Sequence, residues 1–242
     1  MTHSKFINRT ILVLIFYFFF LSANAAYIFI PMDKSQNNHL KAYGIAYYAI
    51  DRDIKVDWLL NYQGGSFMMK QHPNIEKECN IRNVSYKIIA DIQSTEILKS
   101  ITSPSVNQDI VRLEKAPKIA IYSPKNKQPW DDAVTMALTY AEIPYEVIYD
   151  YEVLNNFLPI YDWLHLHHED FTGQYGKFYA SFRNATWYKE GKKDAEKLAQ
   201  ELGFKKVSEA KLAVAKKIKE FIYGGGFLFA MCSATDSYDI AL

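Results

Sequence analysis

The sequence predicts an α/β protein with a mainly parallel sheet in a three-layer arrangement. Short β-rich runs alternate with amphipathic helical segments in both halves of the chain, and the rhythm is clearest in the second half. Strands that alternate with helices of this length are typical of a parallel sheet covered on both faces. Ligands of such sheets bind at the carboxyl ends of the strands, so we expect the functional residues there.

The first 25 residues predict a secretory signal peptide. Lys5 and Arg9 precede the apolar run ILVLIFYFFFL, and the sequence ANA at 23–25 offers a cleavage site. The apolar run is shorter than the roughly 20 residues that a membrane-spanning helix needs. We therefore expect an exported protein, periplasmic or extracellular, without a stable membrane span after cleavage.

The overall charge argues against nucleic acid as a partner. Lys and Arg number 28 against 27 Asp and Glu, which gives a formal net charge of +1. No dense basic run follows the predicted signal peptide, so nothing favours binding to a phosphate backbone. Gly64 and Gly65 are not followed by the GK[ST] sequence of a phosphate loop, and no cofactor is predicted. The expected partner is a small molecule or an envelope ligand.

The first half predicts an N-terminal α/β lobe over residues 26–110. It repeats the strand and helix rhythm of the second half without repeating its sequence, and TSPSVNQD at 102–109 has the composition of a linker. The predicted strands are YIFIP from Tyr27, IKVDWLL from Ile54 and SYKIIA from Ser85, and the predicted helices cover 38–50, 75–79 and 95–101.

The second half predicts a further α/β domain over residues 116–242. Its amphipathic helices end at Pro144 and Gly224, as helices do at such residues. The predicted strands cover 118–122, 145–149, 161–167 and 226–231, and the predicted helices cover 130–141, 153–157 and 208–224.

Cys232 is the most informative residue of the chain. The apolar run FLFAM stops at this cysteine, and small residues stand two positions to either side, at Ala230 and Ala234. A strand, a sharp turn and a helix in this order form a nucleophile elbow, and the helix N-terminus favours a thiolate. Two other interpretations stay open. Cys232 could be an ordinary buried core cysteine, or it could form a disulfide with Cys79 in an oxidising compartment.

A second group of polar residues follows the predicted third strand. His165 and His167 point to one face of an extended strand, and His168, Glu169 and Asp170 continue into the loop. The group has three interpretations: hydrogen-bonded core histidines, a base or substrate contact beside Cys232, or metal ligands. The spacing departs from the HxHxDH pattern of metallo-hydrolases, so metal binding is predicted to be weak or absent.

The order KIAIYSP, YEVIYD, YDWLHLHHEDFTGQYG and EFIYGGGFLFAMCSATDS resembles the class I glutamine amidotransferase-like superfamily over residues 116–242. The resemblance implies a flavodoxin-like sheet in which Cys232 is the nucleophile. It also implies that the N–H of Ser233 and the loop near Thr172 and Gly173 supply the oxyanion donors. The catalytic His and Glu of that family follow the nucleophile, so their positions fall beyond the last residue, and the sheet is expected to be incomplete at its C-terminal end.

The whole chain after residue 25, including IPMDKSQNNHLKAYGIAYY, resembles a group of exported proteins labelled asparagine synthetase B. The chain has neither the N-terminal cysteine nor the SGGxDS-type loop on which such a synthetase depends. The expected function is that of an exported amidotransferase-like cysteine hydrolase of an amide or related acyl bond, with His167, His168 and Glu169 as candidate partners of Cys232. The alternatives are a non-catalytic envelope binding or scaffold domain of the same fold, and a metal-dependent hydrolase.

Overall fold

The computed structural model describes residues 26–124, 132–167, 176–232 and 234–235. The chain forms two compact units that divide between Ala116 and Pro117. The predicted signal peptide lies outside the described residues. Within the part of the chain that is described, no helix is both long and apolar enough to cross a membrane.

The first unit is built on a five-stranded sheet in which every neighbouring pair of strands is antiparallel. The strand order is β4-β1-β3-β2-β5. The elements are β1 (Ala26–Ile30), α1 (His39–Ile50), β2 (Val56–Leu60), β3 (Ser66–Lys70), α2 (Pro73–Ile81), β4 (Lys87–Ala90), α3 (Asp91–Ile101) and β5 (Asp109–Leu113). From β1 to β4 this is the split βαβ, or ferredoxin-like, arrangement, with α3 and β5 added.

Alternating side chains of the central strands bury both faces of this sheet. Ile28 and Ile30 of β1 pack with residues of α1 and α2 on one face. Phe29, between them, packs on the other face with Ile101 of α3. Helices therefore cover both faces, although the strands between them are antiparallel.

The prediction that the first half repeats the strand and helix order of a parallel sheet is wrong in one respect. The glycine-containing segment at 61–65 is the turn of a hairpin, and the strand β3 that follows it was not predicted. β2 and β3 are joined without a helix, so they run antiparallel, and each further strand joins the sheet in the antiparallel direction.

The composition of the segment 102–109 suggested a linker between the two units, but the segment does not separate them. It leads into β5, which pairs with β2 in the first unit. Asp57 and Arg112 are direct partners in this pairing, and the guanidinium donates to both carboxylate oxygens, at 2.7 and 3.1 Å. The boundary between the units therefore follows β5.

The second unit contains four strands that are all parallel, in the order β7-β6-β8-β9. The predicted strands and most of the predicted helices of this half are confirmed to within a few residues. The elements are β6 (Ile119–Tyr122), α4 (Ala133–Ala141), β7 (Glu146–Ile148), α5 (Asp150–Leu154), a 3-10 turn (Leu158–Ile160), β8 (Trp163–Leu166), α6 (Gly176–Phe182), α7 (Thr186–Glu201), α8 (Val207–Tyr223) and β9 (Phe227–Ala230).

Both faces of the parallel sheet are apolar. Leu164 and Leu166 of β8 pack with residues of α5 and α8 on one face. Trp163 packs on the other face with Leu138 of α4. The chain moves from β6 to β7 in one direction and from β8 to β9 in the other, so the point at which the strand order reverses lies between β6 and β8. Ligand sites of open parallel sheets lie at this point, outside the carboxyl ends of the strands.

The hairpin between β2 and β3 supplies a test of the first unit. Gly64 and Gly65 both have positive φ, +83° and +93°. A Cβ on Gly64 would overlap the carbonyl oxygen of Met32, whereas a Cβ on Gly65 would lie 3.4 Å from the nearest atom, Nε1 of Trp58. We expect Gly65→Ala to lower the free energy of unfolding by about 1 kcal/mol and Gly64→Ala by about 3 kcal/mol. Urea unfolding measures both, and equal losses would contradict the close approach.

Candidate functional site at the carboxyl edge of the parallel sheet

Four strands bring their carboxyl ends to one edge of the second unit. Tyr122 of β6 is paired with Leu166 of β8, and Leu166 with Ala230 of β9. His167 is the next residue after β8, and Cys232 follows two residues after Ala230. The N–H of Met231 donates to the carbonyl of Leu166 at 2.9 Å, so this pairing continues past the last ladder residue. His167 and Cys232 thus follow neighbouring strands at the same edge, as the sequence predicts.

Cys232 is exposed and has a left-handed backbone conformation, with φ +52°. This conformation is uncommon for a residue with a side chain and is found where the surrounding structure enforces it, often at functional sites. The chain turns here. The N–H of Thr235 donates to the carbonyl of Cys232 at 3.2 Å, and its hydroxyl donates to the same oxygen at 2.7 Å.

Asp132 brings a carboxylate to this edge from another segment. It is the N-cap of α4, and its side chain accepts a hydrogen bond from the N–H of Val134 at 3.0 Å. The hydroxyl of Thr135 donates to its other oxygen. Asp132 is fully buried. α4 follows β6, and the side chain of Asp132 contacts His165 of β8. Asp132 therefore lies between β6 and β8, where the strand order reverses.

His165 is the main partner of this carboxylate. It is fully buried in β8, and its Nε2 lies 2.9 Å from Oδ2 of Asp132. Its Nδ1 lies 3.1 Å from the carbonyl oxygen of Phe229, whose ring stacks on the imidazole at 5.5 Å. The imidazole therefore connects β8 to the start of α4 and to β9.

His167 lies on the same side of β8 as His165. Its Nδ1 is 3.7 Å from Oδ1 of Asp132, and its side chain keeps 13% of its surface exposed. Asp132, His165 and His167 each offer one ligand atom, and the three atoms lie within 4.8 Å of one another. The two histidines were predicted to share a face, and that placement is confirmed.

The carboxyl group of Asp132 is held in its ionised form. Burial by itself raises the pKa of Asp132, but the hydrogen bond from Thr135 and the nearby His165 outweigh it. The N–H of Val134 and the ring of His167 act in the same direction, so the pKa lies below its usual value. A buried negative charge at this edge attracts a proton or another cation.

A second buried polar group lies on the other face of the same edge. Nζ of Lys211, on α8, donates to the hydroxyls of Tyr122 and Tyr149 at 2.9 and 3.0 Å and to Asp150 at 2.8 Å. The hydroxyl of Tyr122 also donates to Asp150. Burial by itself lowers the pKa of Lys211, but Tyr149 and Asp150 outweigh it and raise the pKa above its usual value. The three donors of this ammonium group are all used within the protein.

Sequence reasoning missed both Asp132 and the group around Lys211. Asp132 carries one local signal, since an Asp directly before an apolar periodic segment is typical of a helix N-cap. Nothing in that signal indicates a histidine partner 33 positions further along the chain. Lys211 lies in a helix rich in lysine, and the sequence does not distinguish it from its exposed neighbours.

Several predicted site residues lie outside the described part of the chain. His168, Glu169, Thr172, Gly173 and Ser233 are among them, so the proposed oxyanion donors and two of the candidate partners of Cys232 stay predictions.

The two cysteines have different environments. Cys79 is fully buried on α2 in the first unit, Cys232 is exposed, and both are free thiols. Burial raises the pKa of Cys79 to about 12. The disulfide between them that the sequence left open is not formed in this structure.

We expect Lys211→Met to lower the free energy of unfolding by about 3 kcal/mol, because it leaves Asp150 buried without its cation. Lys217→Met on the same helix is the control, since Lys217 pairs with an exposed Glu220 and should contribute less than about 0.5 kcal/mol.

The raised pKa of Lys211 means that its contribution to stability is complete below pH 10.5 and is lost as the pH rises further. Urea unfolding at pH 7 and 11 measures this, and a Lys211 variant as stable as the control would contradict it.

We expect an electrophile to label Cys232 much faster than Cys79. A rise in pKa from 9.0 to about 12 reduces the thiolate of Cys79 about a thousandfold at neutral pH, and its burial slows access further. Limiting iodoacetamide at pH 7.5, followed by peptide mapping, compares the two thiols. The same experiment after unfolding in urea is the control, in which the two rates should become similar. Faster labelling of Cys79 in the folded protein would contradict the assignment of Cys232 as the accessible thiol.

Comparisons with known proteins return no match to this chain among protein-family models, curated proteins or solved structures.

Proposed function

We propose that the protein is an exported cysteine hydrolase that cleaves an amide or related acyl bond, with Cys232 as the nucleophile. The observation that carries the proposal is the left-handed backbone of the exposed Cys232 directly after a parallel strand. A strained turn between a strand and a helix displays a nucleophile in other hydrolases of α/β fold. An ordinary core cysteine would be buried and would not need this conformation.

The strand order of the second unit supports an amidotransferase-like fold. Numbered within the unit, β7-β6-β8-β9 is the order 2-1-3-4, and the flavodoxin-like order is 2-1-3-4-5. Apolar clusters on both faces of the sheet agree with a three-layer arrangement. The proposed nucleophile then follows the fourth strand.

His167 is the proposed base, since it follows the neighbouring strand at the same edge. One ring nitrogen of His167 faces Asp132, at 3.7 Å, and the other accepts the proton of the Cys232 thiol. The thiolate then attacks the carbonyl carbon. The imidazolium protonates the leaving amine, the carbon–nitrogen bond breaks, and the acyl group stays bound to the sulfur as a thioester. Water, deprotonated by the same imidazole, cleaves this thioester and releases the acid and the free thiol. Asp132 stabilises the imidazolium in both steps.

Export is part of the proposal and rests on the first 25 residues. They combine a positive start, an apolar run and the small residues ANA at 23–25. Sequencing the N-terminus of the protein recovered from the envelope fraction of a bacterial expression host tests it. We expect Ala26 as the first residue, and a cytoplasmic protein that retains Met1 would contradict export.

We expect the protein to form an acyl-enzyme on Cys232 with activated esters and anilides. Cys232→Ser should lower the steady-state rate at least about 100-fold, since a hydroxyl is a far weaker nucleophile at neutral pH. It should change the free energy of unfolding by less than about 0.5 kcal/mol, because the side chain is exposed.

Cys79→Ala is the matched control for this variant. It alters the buried thiol of the first unit and should retain the full rate, whatever its effect on stability. Intact-mass analysis during turnover should detect one added acyl group in the wild type and in Cys79→Ala. An acyl group on another residue, or full activity in Cys232→Ser, would reject the cysteine mechanism.

A further inference from the structure

The three side chains that meet between β6 and β8 have the spacing of ligands around a metal ion. In tetrahedral zinc sites with metal–ligand distances near 2.0–2.1 Å, neighbouring ligand atoms lie about 3.3 Å apart. Here Nε2 of His165 is 2.9 Å and Nδ1 of His167 is 3.7 Å from the two oxygens of Asp132. The three ligand atoms lie within 4.8 Å of one another, so small side-chain movements would bring them to a common centre.

The contacts of His165 favour a cation at this place. Both ring nitrogens face oxygen atoms, the carbonyl of Phe229 on one side and the carboxylate of Asp132 on the other. A carbonyl accepts only, so Nδ1 carries the proton that is donated to Phe229. In a neutral ring the lone pair of Nε2 then points at a buried carboxylate oxygen. A proton shared by this pair, or a metal ion bound to both atoms from one side, would satisfy them.

The surrounding contacts are those that usually orient metal ligands. A histidine that binds a metal donates its other ring N–H to a carbonyl or carboxylate, as His165 does to Phe229. Ligating carboxylates are themselves held by hydrogen bonds, as Asp132 is by Val134 and Thr135. These contacts fix which atoms of His165 and Asp132 face the centre.

We propose that Asp132, His165 and His167 bind a divalent first-row transition metal, of which zinc is the type. Two imidazoles and one carboxylate are a common ligand set for zinc, and three protein ligands leave a fourth position for water or a substrate. The partly exposed side chain of His167 gives the ion a route from solvent. The spacing of His165 and His167 along the chain departs from the HxHxDH pattern, and it therefore predicted weak or absent binding. Asp132, from another segment, was not part of that pattern.

This site does not depend on Cys232, and it goes beyond the proposed cysteine hydrolase. A metal bound through His167 would compete with proton transfer by the same ring. An occupied site would therefore restrain the cysteine chemistry, or would supply a metal-bound water of its own at the same edge.

Titration of the protein with Co²⁺ and with Zn²⁺, after treatment with a chelator and its removal, tests the proposal. We expect one Co²⁺ per chain with visible absorption of a four- or five-coordinate site, and displacement of the cobalt by one equivalent of zinc. Asp132→Asn should weaken binding at least about 100-fold while it preserves the N-cap of α4, since Asn caps helices as well as Asp. His167→Ala should weaken it similarly, and Thr135→Val about 10-fold.

The matched controls are His72→Ala, which removes a histidine N-cap in the first unit, and Cys232→Ser, which removes the proposed nucleophile. Both should bind cobalt within about twofold of the wild type. Binding retained in Cys232→Ser but lost in Asp132→Asn supports the metal site even if no hydrolase activity is found. A wild type that binds neither metal at concentrations up to about 100 µM overturns the proposal, since binding weaker than that is adventitious. Binding that survives in both Asp132→Asn and His167→Ala overturns it too.

The wild type offers a second measurement that does not depend on any variant folding. A metal that binds only the folded protein stabilises it by RT ln(1 + [M]/Kd) and so raises its melting temperature. We expect a rise with zinc that continues with the logarithm of the free zinc concentration once the site is filled. An unchanged melting temperature in the wild type would count against the site.

Discussion

The buried contact between Asp132 and His165 is the interaction on which the arrangement of the second unit depends most. It joins the start of α4, the centre of β8 and, through the other ring nitrogen, the backbone of β9. Removing an ionised carboxylate from water costs several kcal/mol unless hydrogen bonds and an opposite charge replace the solvent. Asp132 accepts hydrogen bonds from Val134 and Thr135 of α4, and the imidazoles of His165 and His167 lie beside it. The contact is satisfied only when β6, β8 and α4 have their native order, so it favours this topology over other packings of the same apolar segments.

The parallel sheet combines apolar faces with a polar carboxyl edge. Leu164 and Leu166 contribute to one face of β8, while His165 occupies the opposite face among otherwise apolar residues. On the first of these faces, Lys211 and Asp150 form a buried ion pair with the hydroxyl groups of Tyr122 and Tyr149. Two buried polar groups thus flank the carboxyl edge. Apolar residues of similar volume often stabilise a core as well as a buried ion pair does, so stability by itself does not require these groups here. The group of Asp132, His165 and His167 lies at the reversal of strand order, which is where open parallel sheets bind ligands.

The two units show how the same local pattern is compatible with different sheets. In both units, strands of three to five residues are mostly separated by helices, and the helical segments have one apolar face. In the second unit a helical connection follows β6, β7 and β8, and the sheet is parallel. In the first unit a five-residue connection joins β2 to β3, and the sheet is antiparallel. Gly64, which lies against the backbone of Met32, marks this connection. A Gly-Gly pair inside an apolar segment is a hairpin signal, and it decides the direction of the strands.

The sequence by itself determined the second unit to within a few residues of each strand, because periodic apolar residues and terminal Pro or Gly specify such elements locally. It also determined that His167 and Cys232 follow neighbouring strands at one edge, since the carboxyl ends of parallel strands lie together. Only the tertiary structure decided the partners of these residues. Asp132 is 33 positions from His165, and Lys211 is 61 positions from Asp150. No local pattern connects residues so far apart in the chain. Their contacts arise because α4 and α8 pack on opposite faces of one sheet, and packing of that kind is specified by the whole set of apolar surfaces rather than by any single segment.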